Sequence, residues 1–226
     1  MIGYMMEKEL SSYTINGRLK SYKVFFKFLA QEGYRENDIS TAIPLVKSEQ
    51  NMIPSFSKQQ ALELLNQPNR KTFIGLRDYT MMMVLLETGI RIQELLSLQI
   101  HDVVFSENEL RVFKGKERKA RQVPFQKTCA NVLEMYLRER GELQTNMLFV
   151  TLDNRTIHPR TVQENIHEYG KKAKISGVRV SPHTFRHSMA KFYLLNGGDA
   201  FTLQQILGHS SLDMVKHYVN LFRSDI

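Results

Sequence analysis

Along this chain, segments whose apolar residues recur every three or four positions enclose one stretch in which they recur every second position. From Ser12 to Tyr34, Ile15, Leu19, Tyr22, Phe25, Phe26 and Leu29 fall on one helical face, and Gly33 supplies a stop. Glu36 to Pro54 is polar, aperiodic and contains Pro44 and Pro54, so it reads as a linker and puts a domain boundary near residue 50. Ser57-Lys58-Gln59-Gln60 then has the form of a capping box ahead of Ala61, Leu62, Leu64 and Leu65, which starts a new helix. Asp78 to Thr88 is almost continuously apolar and predicts a helix buried in the middle of a domain. Gly89 ends it, and periodicity resumes at Arg91, which therefore sits at a helix junction. Between Glu109 and Phe125 the period falls to two, with Leu110, Val112, Val123 and Phe125 flanking the polar turn Lys114-Gly115-Lys116-Glu117-Arg118, a hairpin with a basic tip. Helical patterns return over Lys127 to Arg140, Pro159 to Ala173, Pro182 to Asn196, Asp199 to Leu207 and Ser211 to Phe222. The fold class is thus mainly α (α+β): a short N-terminal unit, 1–50, and a larger unit, 51–226, mostly helical with one small antiparallel sheet.

Composition narrows the partners. A chain of 226 residues with 42% hydrophobic content can bury a sizeable core. Its net charge of +8 favours an anionic partner, because lysines and arginines that neutralise phosphates release counterions from nucleic acid. The single Cys129 sits in an apolar helical run as a core residue, and without paired cysteines the chain fits a reducing compartment. No leader-like start and no span of membrane length are present, so the expected setting is cytoplasmic, on the nucleoid, with no membrane and no small-molecule substrate.

Cutting DNA without a metal requires a nucleophile, cations for the non-bridging phosphate oxygens and an acid for the leaving sugar oxygen. His183 and Arg186 are three apart and share a helix face. Leu207-Gly208-His209 supplies another imidazole, and Tyr218 follows nine residues later. His183 and His187 also stand at the four-residue spacing of a zinc-binding helix. Thr184 lies where the zinc-protease motif needs Glu and no third ligand is evident, so His187 reads as a structural helix residue and no metal or cofactor is expected.

The boxes Thr88-Gly89-Ile90-Arg91-Ile92-Gln93-Glu94-Leu95, His183-x-x-Arg186, Leu207-Gly208-His209 and Tyr218 together resemble the tyrosine recombinase, or phage integrase, family in order and spacing, over roughly residues 55 to 220. The resemblance implies that Arg91 and Arg186 clamp the scissile phosphate, a role suited to a planar fork that keeps its charge. It makes Tyr218 the nucleophile, His183 the group that handles the proton of Tyr218, and His209 a hydrogen-bond donor to the phosphate. Glu94 is a supporting residue that holds the loop; the bland alternative for Arg91 is a surface salt bridge to Glu94 or Glu87. The hairpin is similar to the family's β2-β3 turn, whose lysine protonates the departing 5′ oxygen. Counting back from Val123-Pro124 selects Lys116, with Lys114 and Lys119 as competing amines; Lys114, Arg118, Lys119 and Arg121 are candidate DNA contacts. A solvated basic turn touching only backbone phosphates is the alternative for this hairpin.

The implied reaction is breakage and rejoining of double-stranded DNA through a 3′-phosphotyrosyl bond, without ATP or metal, by protomers that self-associate as a tetramer on DNA. Two other functions fit the same residues: a catalytically weak or inactive DNA-binding remnant, and a nicking-resealing enzyme like type IB topoisomerases. Family members carry a core-binding domain of about four helices before the catalytic domain. Here only its last helix, Ser12 to Tyr34, is legible, and eight residues follow Tyr218, which reads as a fragment or a truncated relative.

Overall fold

A computed structural model describes residues 2–47, 54–114, 119–208 and Tyr218. Internal contacts divide the chain into two compact units, Met1–Met52 and Ile53–Ile226.

In the first unit a short helix, α1 (Ile2–Glu7), precedes α2 (Ser12–Gln31). Ser11 caps α2 by accepting from the Thr14 N–H. The sequence pattern missed α1, whose six residues are too few to display a period. Met5 of α1 packs with Ile15 and Leu19 of α2, whereas Tyr22, Phe25 and Phe28, farther along α2, are exposed. The stretch expected as a linker is in part structured. Asp38 caps a 3-10 turn, Ile39–Ala42, and the Asn16 side chain both donates to the Val46 carbonyl and accepts from its N–H, each at 2.8 Å. Asn16 thereby replaces the ladder partner that an irregular segment lacks.

The second unit is built round α4 (Phe73–Thr88), whose Met81, Met82, Met83, Val84 and Leu85 are all buried. Such a helix is hydrophobic on every side because other helices cover it: α6 (Lys127–Arg140), α7 (Pro159–Lys172) and α8 (Pro182–Leu195) all pack on it. At its N-terminal end Asp78 accepts from Arg77, from Asn165 Nδ2 at 2.9 Å and from Tyr169 Oη at 3.0 Å, so this buried carboxylate is paired and hydrogen-bonded. The helix α3 (Lys58–Leu65) begins at the capping box, with Ser57 and Gln60 each bonding the other's backbone N–H. Just before it, the Phe56 N–H donates to Ser188 Oγ at 2.7 Å, and the Phe56 and Phe185 rings meet edge to face at 5.2 Å. These contacts fasten the start of the unit to α8.

The short helix α5 (Ile92–Ser97) leads into an antiparallel sheet in the order β1 (Val103–Val104), β2 (Glu109–Lys114), β3 (Lys119–Pro124). The pairing Leu110↔Val123 and Val112↔Arg121 puts these four residues on one face, toward α5 and α9 (Ala200–Leu207). The hairpin was legible and the two-residue strand β1 was not, since two residues carry no alternation. Lys116 and Arg118, at its tip, lie outside the described residues. Cys129 is buried, and burial, with Glu87 nearby, pushes its thiol above the ordinary range, so it is an inert core residue. Among the described residues no helix is long and apolar enough to cross a membrane.

Gly89 ends α4 in the left-handed region at φ +61°, and a Cβ there would meet Leu207 at 2.9 Å and Met189 at 3.2 Å. The position needs glycine for conformation and for space. Gly89→Ala is expected to cost about 1–2 kcal/mol for the backbone conformation alone, with more from the crowding. A lowered midpoint in urea, with unchanged slope, checks it.

A cluster of arginines around one glutamate

The site is assembled at the ends of helices. Arg91 is the residue before α5, and the Glu94 carboxylate, on the first turn, turns back to accept the Arg91 N–H at 2.8 Å. That is half of a capping box, and it aims the carboxylate at the helix start. Glu94 Oε1 also accepts from Arg91 Nη1 at 3.1 Å, while Arg121 of β3 makes a fork to both oxygens at 2.9 Å. Burial alone raises the Glu94 pKa, but the bonds from Arg121 and Arg91 outweigh it and hold the carboxyl below its ordinary 4.5.

Arg121 is not the DNA contact expected of it. Its guanidinium is turned inward, with side-chain exposure of 15%, and besides gripping Glu94 it donates through Nε to the Ile206 carbonyl at the end of α9. A bidentate fork already committed to a carboxylate has no geometry left for a phosphate. Gly208, at φ +64°, lies against it: a Cβ there would stand 2.9 Å from the guanidinium carbon. The glycine of the Leu207-Gly208-His209 box thus leaves room for Arg121.

Arg186 lies on α8, 6% exposed. It donates to the carbonyls of Gly89 at 2.7 Å and Leu207 at 2.8 Å, so one guanidinium joins the ends of α4 and α9. Burial and the neighbouring Arg91 draw its pKa down to about 10, against the influence of Tyr218 and Glu94. It keeps its charge at neutral pH. Arg91 has a side chain 40% exposed, and the salt bridge to Glu94 named as its alternative is present.

Tyr218 is 1% exposed. Its hydroxyl lies 2.7 Å from Nδ1 of His187, with the rings 5.7 Å apart. Burial raises the phenol pKa while Arg186 opposes the rise. His183, the expected proton partner, is exposed on the first turn of α8; the imidazole beside the phenol belongs to His187, one turn on. Sequence reasoning passed over His187 once its zinc spacing had failed. Two other tyrosines of this unit have structural tasks: the buried Tyr136 stacks on Phe149, and the half-buried Tyr169 donates to Asp78. His183 and His187 line a cleft of about 610 Å³ with Arg160, His167 and Arg179. Lys114 and Lys119 pair at the open end of the hairpin ladder, and His209 lies outside the described residues.

Residues 54–224 match the model of the phage integrase family, three quarters of the chain. The chain belongs to the phage integrase family. Among curated tyrosine recombinases this family member is similar to XerD of Staphylococcus haemolyticus, 30% identical over all of this chain and 77% of the relative. It is also similar to XerC of Oceanobacillus iheyensis, 29% identical over 98% of this chain and 74% of the relative. Among solved structures it resembles the XerA recombinase, with 30% identity, TM-score 0.68 and coverage of 97% of this chain and 77% of the other. The Tn1549 transposon integrase in complex with a circular intermediate DNA shares the fold, with TM-score 0.78 over 99% of this chain and 82% of the other, at 19% identity. The mainly helical fold with a small antiparallel sheet is therefore that of a tyrosine recombinase.

Because Glu94 has a depressed pKa in the folded state, it contributes stability above the unfolded value near 4.5, which is lost as pH falls through the lower folded value. Glu94→Gln is expected to lower the urea midpoint at pH 7 and to flatten its dependence on pH below 4.5. Equal losses for wild type and variant between pH 5 and 3 count against this role.

Proposed function

We propose that this chain is a site-specific DNA recombinase whose Tyr218 forms a 3′-phosphotyrosyl bond with the strand it cuts. The observation that carries the reading is that the buried guanidinium of Arg186, which donates to the Gly89 carbonyl two residues before Arg91, feels the charges of both Arg91 and Tyr218. A phosphodiester bound there would face fixed cations in a site largely shielded from water, where charge stabilisation is strongest. Arg186 and Arg91 hold the non-bridging oxygens, and Arg91 has the exposure to turn from Glu94 to a phosphate. His209 hydrogen-bonds the phosphate, Lys116 protonates the departing 5′ oxygen, and His183, with Arg160 and Arg179, faces the backbone where it enters the cleft. Lys114, Arg118 and Lys119 add phosphate contacts from the hairpin.

In the forward step the Tyr218 oxygen attacks phosphorus, the P–O5′ bond breaks and the 5′ oxygen leaves as a hydroxyl. Resealing reverses this with the 5′ hydroxyl of the same strand or of a partner. One phosphoester replaces another in each step, so the bond energy is retained. Exchange between two duplexes cuts four strands in all and needs one nucleophile for each, which favours a tetramer on DNA. The work is done on the nucleoid, in the cytoplasm.

The test uses a pool of nicked duplexes of randomised sequence, incubated with the protein and resolved in SDS. Wild type is expected to yield a covalent adduct, and Tyr218→Phe none, with duplex affinity within about twofold. Loss of affinity in Tyr218→Phe instead marks a structural tyrosine. No adduct from wild type supports a binding remnant, and adduct without strand transfer to a second duplex supports a nicking-resealing enzyme. Lys116→Ala is expected to slow adduct formation by about 10²–10⁴-fold, the range of general-acid catalysis. A 5′-bridging phosphorothiolate, whose sulfur leaves unprotonated, restores the rate; no rescue assigns the proton elsewhere.

A further inference from the structure

Two guanidiniums share the Glu94 carboxylate, and they hold it on unequal terms. Arg121 makes a fork to both oxygens at 2.9 Å, and its side chain is 15% exposed. The Arg91 guanidinium makes one bond, 3.1 Å to Oε1, and its side chain is 40% exposed. We propose that Arg121 is a positioning residue for cleavage: it is the standing counter-charge of Glu94, and by staying on that carboxylate it leaves Arg91 free to pass to the phosphate. The proposal rests on the reading of Arg91 as a phosphate clamp and deepens it by naming what releases the clamp.

Glu94 is 8% exposed, and a carboxylate so far removed from water must stay paired. Were Arg91 its only cation, a phosphate could recruit Arg91 only by stranding Glu94, and the stranded anion would then repel the phosphate. Arg121 removes both penalties, because its two bonds remain when the Arg91 side chain turns away. Only the side-chain bond of Arg91 has to break. Its N–H donates to Oε2 at 2.8 Å, so the backbone and the carboxylate keep their places through the exchange. Burial raises the Glu94 pKa, and the hydrogen bond from Arg121 is the strongest influence against it, ahead of those from Arg91.

Arg121 is not built to make the same move. Its Nε donates to the Ile206 carbonyl at 2.8 Å, and Gly208 lies so near that a Cβ there would stand 2.9 Å from the guanidinium carbon. The pairing Val112↔Arg121 fixes its backbone within the β2-β3 ladder. One arginine is thus held and the other movable, with a single carboxylate between them. The exchange breaks no covalent bond and moves no proton: Arg91 leaves Oε1 for a non-bridging phosphate oxygen.

The experiment measures the rate of Tyr218 adduct formation at saturating concentrations of a nicked duplex recovered from the randomised pool, together with Tm. Arg121→Met is expected to slow the adduct by about 10²-fold, the scale of one lost donor to a developing charge, because Glu94 keeps Arg91. Adding Glu94→Gln removes the competing anion, and the double variant is expected to regain about tenfold of that loss. In an Arg91→Ala background, Arg121→Met is expected to change the rate by less than about threefold, since the group it acts through is absent. An arginine that only braces the fold predicts the opposite on both counts: a double variant slower than either single variant, and an undiminished loss without Arg91. Either result overturns the proposal, as does cleavage by Arg121→Met within about threefold of wild type. Should Arg121→Met fold poorly, judged by its Tm, Arg121→Gln keeps a donor at that place without the charge, and the same loss, relief and dependence on Arg91 are expected. A rate that Arg91→Ala leaves unchanged, in a protein whose adduct still depends on Tyr218, overturns the reading of Arg91 as a clamp. Where Arg91 is needed and Glu94→Gln brings no relief, only the counter-charge role of Arg121 falls.

Discussion

The carboxylate of Glu94, set between two guanidiniums, is the contact on which the site depends. Among the described residues it is the one acidic group in a cluster that also holds Arg91, Arg121 and Arg186. Three buried or half-buried guanidiniums repel one another, and removing water strengthens that repulsion. Glu94 neutralises part of it, and the carbonyls of Gly89, Leu207 and Ile206 accept further hydrogen bonds from Arg186 and Arg121. A positive surplus remains, and it is best relieved by an anion. The lowered pKa of Arg186 is the same fact seen from the protein: burial and Arg91 press on its charge, and a phosphate would reverse the pressure.

The same contacts join distant parts of the chain. Arg121 carries the hairpin to the end of α9, Arg186 ties α8 to the ends of α4 and α9, and Glu94 ties the start of α5 to β3. Two glycines at positive φ make these approaches possible, Gly89 beneath Leu207 and Met189, and Gly208 beneath Arg121. The helix ends are thereby bound by the same side chains that gather positive charge. Electrostatic preorganisation of this kind costs no rearrangement when the reaction occurs.

Much of this was legible in the residues. The capping box at Ser57, the buried methionine helix, the stop at Gly89, the hairpin and the proline-led start of α8 each carry a local signal, and the structure contains all of them. The spacing of Arg91, Arg186 and Tyr218 pointed to a common site, and in the structure Arg186 feels Arg91, which lowers its pKa, and Tyr218, which opposes that. What was missed lacked a local signal or carried one left unused. The helix Ile2–Glu7 is too short to show a period, and the backbone at Val46 is fixed by Asn16, far away in sequence. Arg121 shares strand parity with Val123, which marks an inward side chain, yet its charge suggested an outward one. His187 lay one turn beyond His183 on the same face, and only the tertiary path of Tyr218 decides between the two imidazoles.

The central claim is a covalent bond between Tyr218 and a DNA 3′ phosphate. The most direct measurement is mass spectrometry of the trapped complex after digestion with protease and nuclease. The account predicts a peptide containing Tyr218 that carries a nucleotide through its 3′ phosphate, with a free 5′ hydroxyl on the released strand. A nucleotide found on any other residue, or joined through its 5′ phosphate, would contradict it.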